Sequence, residues 1–124
     1  MGRVLVVDDE EYMREIMASV LSASGFDVIK AGDGLEALEQ FQGQGEPISL
    51  VVMDIAMPRM DGLEATKRIK EIRPSTKVVL ISGNDRPPAN SVADGFLAKP
   101  FRIDELCAAV QSILSDDKPR PRVA

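Results

Sequence analysis

The order of apolar and amphipathic segments predicts an α/β fold built on one five-stranded parallel sheet. Short apolar runs recur along the chain, and most of them are separated by stretches whose apolar residues recur at helical spacing. Strands that alternate with helices form parallel sheets with right-handed crossovers and with helices on both faces. The chain has 124 residues, which is room for one such domain.

Each predicted element has its own signal in the sequence. Val4–Val7 is a short continuous apolar run, which is typical of a strand that is buried on both faces. Further strands are predicted at Phe26–Ala31, Ile48–Met53, Lys77–Ser82 and Gly95–Ala98. Apolar stripes at helical spacing predict helices over Glu11–Ser24, around Leu35–Phe41, over Gly62–Ile72 and from Ile103 to Leu114. Gly25, Gly43 and Pro74 stand where the first three helices should end.

The composition excludes several classes of function. The chain has no histidine, so Ser-His catalysis, histidine metal ligands and phosphohistidine are excluded. A single cysteine excludes zinc–cysteine clusters and an internal disulfide, and it fits a reducing cytoplasm. The net charge of −5 argues against direct nucleic-acid binding, which needs a basic face. No apolar run approaches the roughly 18 residues of a membrane-spanning helix, so we expect no membrane insertion.

Polar side chains follow four of the predicted strands. The first strand ends in Asp8 and Asp9, the third in Asp54, the fourth in Ser82 and the fifth at Lys99. Sites in open α/β sheets form at the carboxyl ends of the strands, so we expect these five side chains to meet. Clustered carboxylates repel one another, and Mg²⁺, which prefers oxygen ligands, relieves that repulsion.

Asp54 is the candidate for covalent chemistry, because an acidic residue directly behind an apolar strand needs a reason to be there. Its carboxylate can attack a phosphoryl group, while Lys99 and Mg²⁺ neutralise charge and Ser82 donates a hydrogen bond. Simpler interpretations stay open at this point: Asp9 caps the first helix, Ser82 belongs to a turn, and Lys99 lies along the surface. Asp61-Gly62 is interpreted as turn and helix-start chemistry.

Four segments resemble the bacterial response-regulator receiver domain, the CheY-like domain of two-component signalling. They are Val4–Glu10, Met53–Gly62 with its Asp-x-x-Met-Pro-x-Met-Asp-Gly pattern, Val79–Ser82, and Phe96–Phe101 with Lys99-Pro100-Phe101. The resemblance implies a flavodoxin-like, doubly wound sheet in the order 2-1-3-4-5. It also implies a phosphoprotein that uses Mg²⁺ and receives its phosphoryl group from a sensor histidine kinase or phosphotransfer protein.

The resemblance also implies a role for each site residue. Asp54 is the phospho-acceptor, and Asp8 and Asp9 hold Mg²⁺, Asp9 directly and Asp8 mainly through water. The backbone carbonyl of Ala56 completes the metal ligands from the protein. Ser82 and Lys99 bind the phosphoryl group, and Phe96 is the aromatic switch residue. The peptide bond before Pro100 is expected to be cis. The domain catalyses its own phosphoryl acceptance and the hydrolysis of its aspartyl phosphate.

The sequence departs from the family between the fourth and fifth strands. Only 17 positions separate Ser82 from Lys99, fewer than the family usually has, and Pro87 and Pro88 fall between them. Proline restricts helix formation, so the family's fourth helix is expected to be shortened or missing, with at most a turn or two from Ala89 to Ala93. We expect a receiver domain over residues 1–115 and a polar tail or linker stub over 116–124.

Two further classes of function stay open. The first is a receiver-like interaction module that no longer switches, which the short segment after Ser82 favours and the retained acidic residues oppose. The second is an enzyme on a similar sheet. A phosphatase of the haloacid dehalogenase type needs a second aspartate where Ala56 stands, and a flavodoxin needs a hydroxyl-rich loop where Asp8-Asp9-Glu10 stands. The sequence does not identify the kinase, the downstream target or an output domain.

Overall fold

The computed structural model describes residues 2–43, 47–83 and 91–115. The strands are β1 (Arg3–Val7), β2 (Asp27–Ala31), β3 (Leu50–Asp54), β4 (Lys77–Ser82) and β5 (Gly95–Ala98). The helices within these ranges are α1 (Glu11–Ala23), α2 (Gly34–Gly43), α3 (Gly62–Ile72) and α4 (Ile103–Ser115). The predicted order of strands and helices is confirmed, and each element begins and ends within two residues of its predicted bounds.

The five strands form one parallel sheet in the order β2-β1-β3-β4-β5. This is the predicted doubly wound topology. The strand order reverses at β1, whose neighbours are β2 on one side and β3 on the other. Loops on the two sides of that point diverge, which opens a crevice at the carboxyl ends of β1 and β3.

The sheet is apolar on both faces, because alternate residues of the central strands point to opposite sides. Residues buried toward one face include Leu5, Val7, Val51, Met53, Val78 and Leu80. Residues buried toward the other include Val4, Val6, Leu50, Val52, Val79 and Ile81. Helices α2 and α3 cover the first face and α1 and α4 cover the second, so the core has two layers that the sheet separates.

Two helices begin with aspartate caps that satisfy free backbone N–H groups. Asp61 precedes α3, and its carboxylate accepts a hydrogen bond from the Glu64 N–H at 2.9 Å. Asp33 precedes α2 and accepts in the same way from the Glu36 N–H at 2.9 Å. The interpretation of Asp61-Gly62 as helix-start chemistry is confirmed.

The connection from β4 to β5 is where the sequence predicts a shortened or missing helix. Residues 84–90, on which most of that prediction falls, lie outside the described residues. The described part, 91–94, is not helical, so the turn expected to extend to Ala93 does not reach it. The reason is that the Ala93 N–H bonds the Ser91 hydroxyl and the Asp94 N–H bonds the Val78 carbonyl, which already starts the strand ladder. The predicted tail, 116–124, also lies outside the described residues.

A search of the described helices finds none that is long and apolar enough to cross a membrane.

The two isoleucines of α3 provide a test of this packing. Ile69 is fully buried beneath the helix, whereas Ile72 is 48% exposed. We expect Ile69→Ala to lower the free energy of unfolding by about 2–5 kcal/mol, because the substitution leaves a cavity in the core. Ile72→Ala, the control on the same helix, should change it by less than about 0.5 kcal/mol. Urea denaturation measures both, and equal losses would contradict the placement of α3.

Candidate functional site

Three carboxylates meet at the carboxyl ends of the two central strands. Asp54 is the last residue of β3, and Asp8 and Asp9 directly follow β1, which pairs with β3. One carboxylate oxygen from each of the three lies within 4.8 Å of the others. Asp8 and Asp54 are buried and Asp9 is exposed, so the cluster opens to solvent on one side. These are hard oxygen donors, the kind of ligand that Mg²⁺ prefers.

The turn after β1 fixes Asp8 in place. One of its carboxylate oxygens accepts a hydrogen bond from the Glu10 N–H at 2.9 Å. Its backbone carbonyl accepts another from the Arg14 guanidinium at 2.7 Å. Glu10, and not Asp9, occupies the N-cap position of α1. The interpretation of Asp9 as a helix cap is therefore wrong, and its side chain is left for the acidic cluster.

Lys99 provides the positive charge of the site. Its ammonium lies 3.4 Å from an Asp8 carboxylate oxygen and 3.7 Å from one of Asp54. It also lies 3.7 Å from Glu10. Lys99 directly follows β5, and the Lys99–Pro100 peptide bond is cis. The distances to Asp8 and Asp54 show that the lysine side chain reaches the acidic cluster and does not lie along the surface.

Burial and neighbouring charge shift two pKa values in the site. Burial, and then the negative charge of Asp8, raises the pKa of Asp54 from 3.8 to about 6, although Lys99 acts in the opposite direction. Burial acts to lower the pKa of Lys99, but the charges of Asp8 and Asp54 outweigh it and raise that pKa above its ordinary value. At neutral pH the site therefore holds an ionised Asp54 beside a firmly protonated lysine.

The remaining predicted residues lie around this centre. Ser82 is buried at the end of β4, and its carbonyl accepts a hydrogen bond from the Lys99 N–H at 2.7 Å. Phe96, on the neighbouring strand β5, is half-buried against the core on the α2–α3 face. Ala56 is exposed, and its backbone N–H acts to lower the pKa of Asp54, against the larger effect of burial. Pro100 follows Lys99 and is exposed.

Sequence reasoning missed several residues that shape the loop after Asp54. An added Cβ at Gly62 would overlap the backbone carbonyl of Asp54, and one at Gly34 would overlap the carbonyl of Met60. Arg59 has a φ of 67°, a left-handed conformation that costs a non-glycine residue about 1–2 kcal/mol. Its guanidinium pairs with Asp33 at 2.7 Å. Only the glycine and aspartate of Asp61-Gly62 gave a signal in the sequence.

A family model for the response regulator receiver domain matches residues 4–111 of the chain. The chain belongs to this family. The motifs that carry the resemblance in the sequence are thus those of a receiver domain of a response regulator, the class of domain found in two-component signalling.

Full-length response regulators are among the relatives of this receiver domain. It is 34% identical over 122 residues to the response regulator MprA of Mycobacterium leprae, and equally so to MprA of Mycobacterium avium. In both comparisons the alignment covers 94% of this chain and 53% of the relative. The receiver domain described here therefore spans about half the length of these relatives.

Solved structures of CheY-like proteins share this fold. A CheY-like receiver protein from Methanospirillum hungatei superimposes with a TM-score of 0.85 at 25% identity, over 94% of this chain and 95% of that one. The response regulator TrrA from Thermotoga maritima, solved in complex with Mg²⁺ and BeF, gives 0.81 at 32% identity, over 91% and 99%. The predicted CheY-like sheet is confirmed.

The raised pKa of Asp54 makes the stability of the metal-free protein depend on pH. Because folding raises this pKa from 3.8 to about 6, ionised Asp54 disfavours the folded state, and stability falls as the pH rises between these values. Asp54→Asn removes the charge. We expect this variant to be about 1–3 kcal/mol more stable than the wild type above pH 7, with no such gain below about pH 4.

Urea denaturation in EDTA at several pH values measures this difference. Glu39→Gln, which removes an exposed carboxylate on α2, is the control and should show no pH-dependent gain. A gain from Asp54→Asn that is the same at every pH would contradict the assignment of the effect to the Asp54 charge.

Proposed function

We propose that this receiver domain accepts a phosphoryl group on Asp54 and that the phosphorylated form shifts the conformation of residues 82–101. The observation that carries the proposal is the environment of the Asp54 carboxylate. It is held at the end of a fully buried strand, 3.7 Å from the Lys99 ammonium and beside the Asp8 carboxylate. The Asp54 carboxylate, which is the proposed nucleophile, and the Lys99 ammonium are thus held together at a site that is open to solvent on the side of Asp9.

The covalent step is a transfer from an external donor to a carboxylate oxygen. An Asp54 oxygen attacks phosphorus and forms an acyl phosphate, while the bond from phosphorus to the donor breaks and its electron pair leaves with the donor. With a pKa of about 6, Asp54 is mostly ionised at neutral pH and is competent as a nucleophile. The Lys99 ammonium is placed to neutralise the oxygens of the transferring group.

The acidic cluster fits a resident Mg²⁺, because its three carboxylates have oxygens within 4.8 Å of one another, while the Lys99 ammonium lies beside only Asp8 and Asp54. We propose that Asp9 and Asp54 bind it directly, that Asp8 binds it mainly through water, and that the Ala56 carbonyl adds a ligand. When bound, Mg²⁺ supplies positive charge against the phosphoryl oxygens. The buried Asp8 holds the turn in which Asp9 and Glu10 stand.

The switch is a shift between two arrangements of the loops after β4 and β5. Phosphorylation adds roughly two negative charges at Asp54, which gives Ser82 and Lys99 a strong acceptor. Ser82 and Phe96 lie on paired strands, with Leu80 opposite Phe96 and Ser82 opposite Ala98. By the resemblance to receiver domains, we propose that the Phe96 ring turns inward when Ser82 is drawn to the phosphoryl group.

The donor must be another protein or a small phosphodonor, because the chain has no histidine of its own. We propose a sensor histidine kinase or a phosphotransfer protein acting in the cytoplasm. The unit that carries the function is assigned to residues 1–115, supported by the family match over 4–111 and by the end of α4 at Ser115. The negative net charge supports an output through protein contacts and not through direct nucleic-acid binding.

Intact-mass spectrometry tests phosphoryl acceptance directly. After incubation with acetyl phosphate and Mg²⁺, we expect the protein to gain one phosphoryl group, and to gain none in EDTA or in Asp54→Asn. Asp61→Asn is the matched control from the same motif. Asparagine can still cap α3, so this variant should accept as the wild type does.

No gain in the wild type would argue against the proposal, and a beryllofluoride titration then separates the alternatives. Beryllofluoride mimics the phosphoryl group without needing a donor reaction. If beryllofluoride changes the spectrum of the protein, the proposed switch stands, and the missing phosphoryl gain means that acetyl phosphate is a poor donor. No change would favour a receiver-like interaction module that does not switch.

Mg²⁺ affinity gives a separate prediction. Isothermal titration calorimetry should show binding that weakens at least about tenfold in Asp9→Asn and in Asp8→Asn, because each loses a carboxylate of the cluster. Asp104→Asn, which removes an exposed carboxylate on α4, should bind Mg²⁺ as the wild type does. Equal affinity in all four proteins would place the metal elsewhere.

A further inference from the structure

The loop that follows Asp54, residues 55–61, is held between the first residues of two helices; we name it the acceptor loop. On the α3 side, the Gly62 N–H donates to the Ile55 carbonyl at 2.8 Å. Gly62 also lies so close to the Asp54 carbonyl that no Cβ could be added there. The two ends of the acceptor loop are thereby fixed to each other.

A second set of contacts holds the middle of the acceptor loop against α2. Gly34 lies against the Met60 carbonyl, again with no room for a Cβ. Next to it, one oxygen of Asp33 accepts hydrogen bonds from Nε of Arg59 at 2.9 Å and from its Nη2 at 2.7 Å. The contact between Gly34 and the Met60 carbonyl and the ion pair between Asp33 and Arg59 therefore lie next to each other, where the acceptor loop meets α2.

Asp33 is a fixed anchor and not a mobile surface carboxylate. Its side chain is 15% exposed, and its other oxygen accepts from the Glu36 N–H at 2.9 Å. The Glu36 carboxylate in turn accepts from the Gly32 N–H at 2.8 Å. Although burial acts to raise it, the Glu36 N–H and the Arg59 guanidinium hold the pKa of Asp33 below its ordinary value. Asp33 therefore stays charged toward Arg59 at neutral pH.

Arg59 reaches Asp33 from a backbone conformation that side chains rarely adopt, with φ at 67°. Glycine would adopt the same conformation without strain. The side chain is 57% exposed, and exposed ion pairs add little to the stability of a fold. An arginine at this position therefore strains the backbone and adds little to the free energy of unfolding. What its contact with Asp33 does is restrain the acceptor loop.

The acceptor loop leads back to the reacting carboxylate. Ala56 lies two residues after Asp54 and three residues before Arg59. Between Asp54 and Ala56, the Ile55 N–H donates to the Ile81 carbonyl at 2.9 Å, which fixes the start of the acceptor loop to the sheet. Met57 and Met60, on either side of Pro58 and Arg59, pack against the core, so the loop is held on both sides of Arg59. We propose that Asp33 and Arg59 are positioning residues for phosphoryl acceptance, because their ion pair fixes the acceptor loop and keeps Ala56 aligned with Asp54. This inference rests on the proposed function.

The test compares the rate of phosphorylation by acetyl phosphate with stability in urea. In Arg59→Gly the ion pair is lost, but the backbone strain is relieved. We therefore expect the rate constant at saturating Mg²⁺ to fall about three- to tenfold, while the urea midpoint stays near that of the wild type. Arg59→Lys, which keeps a positive charge within reach of Asp33, should recover most of the rate.

A double-mutant cycle shows whether the two residues act together. Asp33→Asn keeps a capping oxygen for α2 but loses the charge. If the pair is the positioning element, the double variant Asp33→Asn/Arg59→Gly is no slower than the slower single variant. Arg68→Gln is the control, because it breaks another exposed ion pair, Arg68–Glu64, away from the acceptor loop. It should react at the wild-type rate.

Each other outcome overturns the inference. Variants that react at the wild-type rate show that the ion pair does not position the acceptor. Additive losses in the cycle show that Asp33 and Arg59 act separately, and a loss that follows a lowered urea midpoint shows a structural role alone. A wild-type protein that gains no phosphoryl group and does not respond to beryllofluoride refutes the proposed function itself, and the inference with it.

Discussion

The burial of two carboxylates side by side is the constraint on which the site depends. Val7 of β1 pairs with Met53 of β3, so the next residues along the two strands, Asp8 and Asp54, lie side by side at the carboxyl edge of the sheet. Both are buried, a third carboxylate from Asp9 lies close by, and the ammonium within reach is that of Lys99. The clustered carboxylates outnumber the Lys99 ammonium, which leaves an excess of negative charge that a divalent cation can balance.

The buried strands of the sheet cannot move apart to relieve this repulsion. Any relief must therefore come from movement of the loops. Every residue of β3 is buried, and its neighbours β1 and β4 are buried over all but their first residues. Close-packed interiors resist displacement. By contrast, all four residues of the edge strand β5 are half-buried, and β5 leads directly to Lys99. The change of charge that we propose at Asp54 would therefore be accommodated at β5 and at the loops beside it, where rearrangement costs least.

The sequence allowed prediction of what depends on periodicity and on strand ends. Apolar runs located the five strands, and the residues that follow them located Asp8, Asp54, Ser82 and Lys99. The sequence did not indicate the features that depend on contacts between segments far apart in the chain. Gly34 is needed because of Met60, and Arg59 adopts a left-handed φ beside Asp33. The start of β3 was missed for a similar reason: the carbonyl of buried Ile48 accepts from the Thr76 hydroxyl and not from a neighbouring strand.

The start of β5 illustrates how tertiary contacts replace regular structure in a short connection. The Asp94 N–H donates to the Val78 carbonyl at 2.8 Å, and the Val78 N–H donates back to the Asp94 carboxylate at 2.9 Å. Lys70 of α3 bonds that same carboxylate at 2.7 Å and the Thr76 carbonyl at 2.8 Å. A side chain thus extends the strand ladder by one residue and ties it to α3. Because β5 is anchored at this end, the proposed response to charge at Asp54 would be confined to its other end, where Lys99 follows the strand.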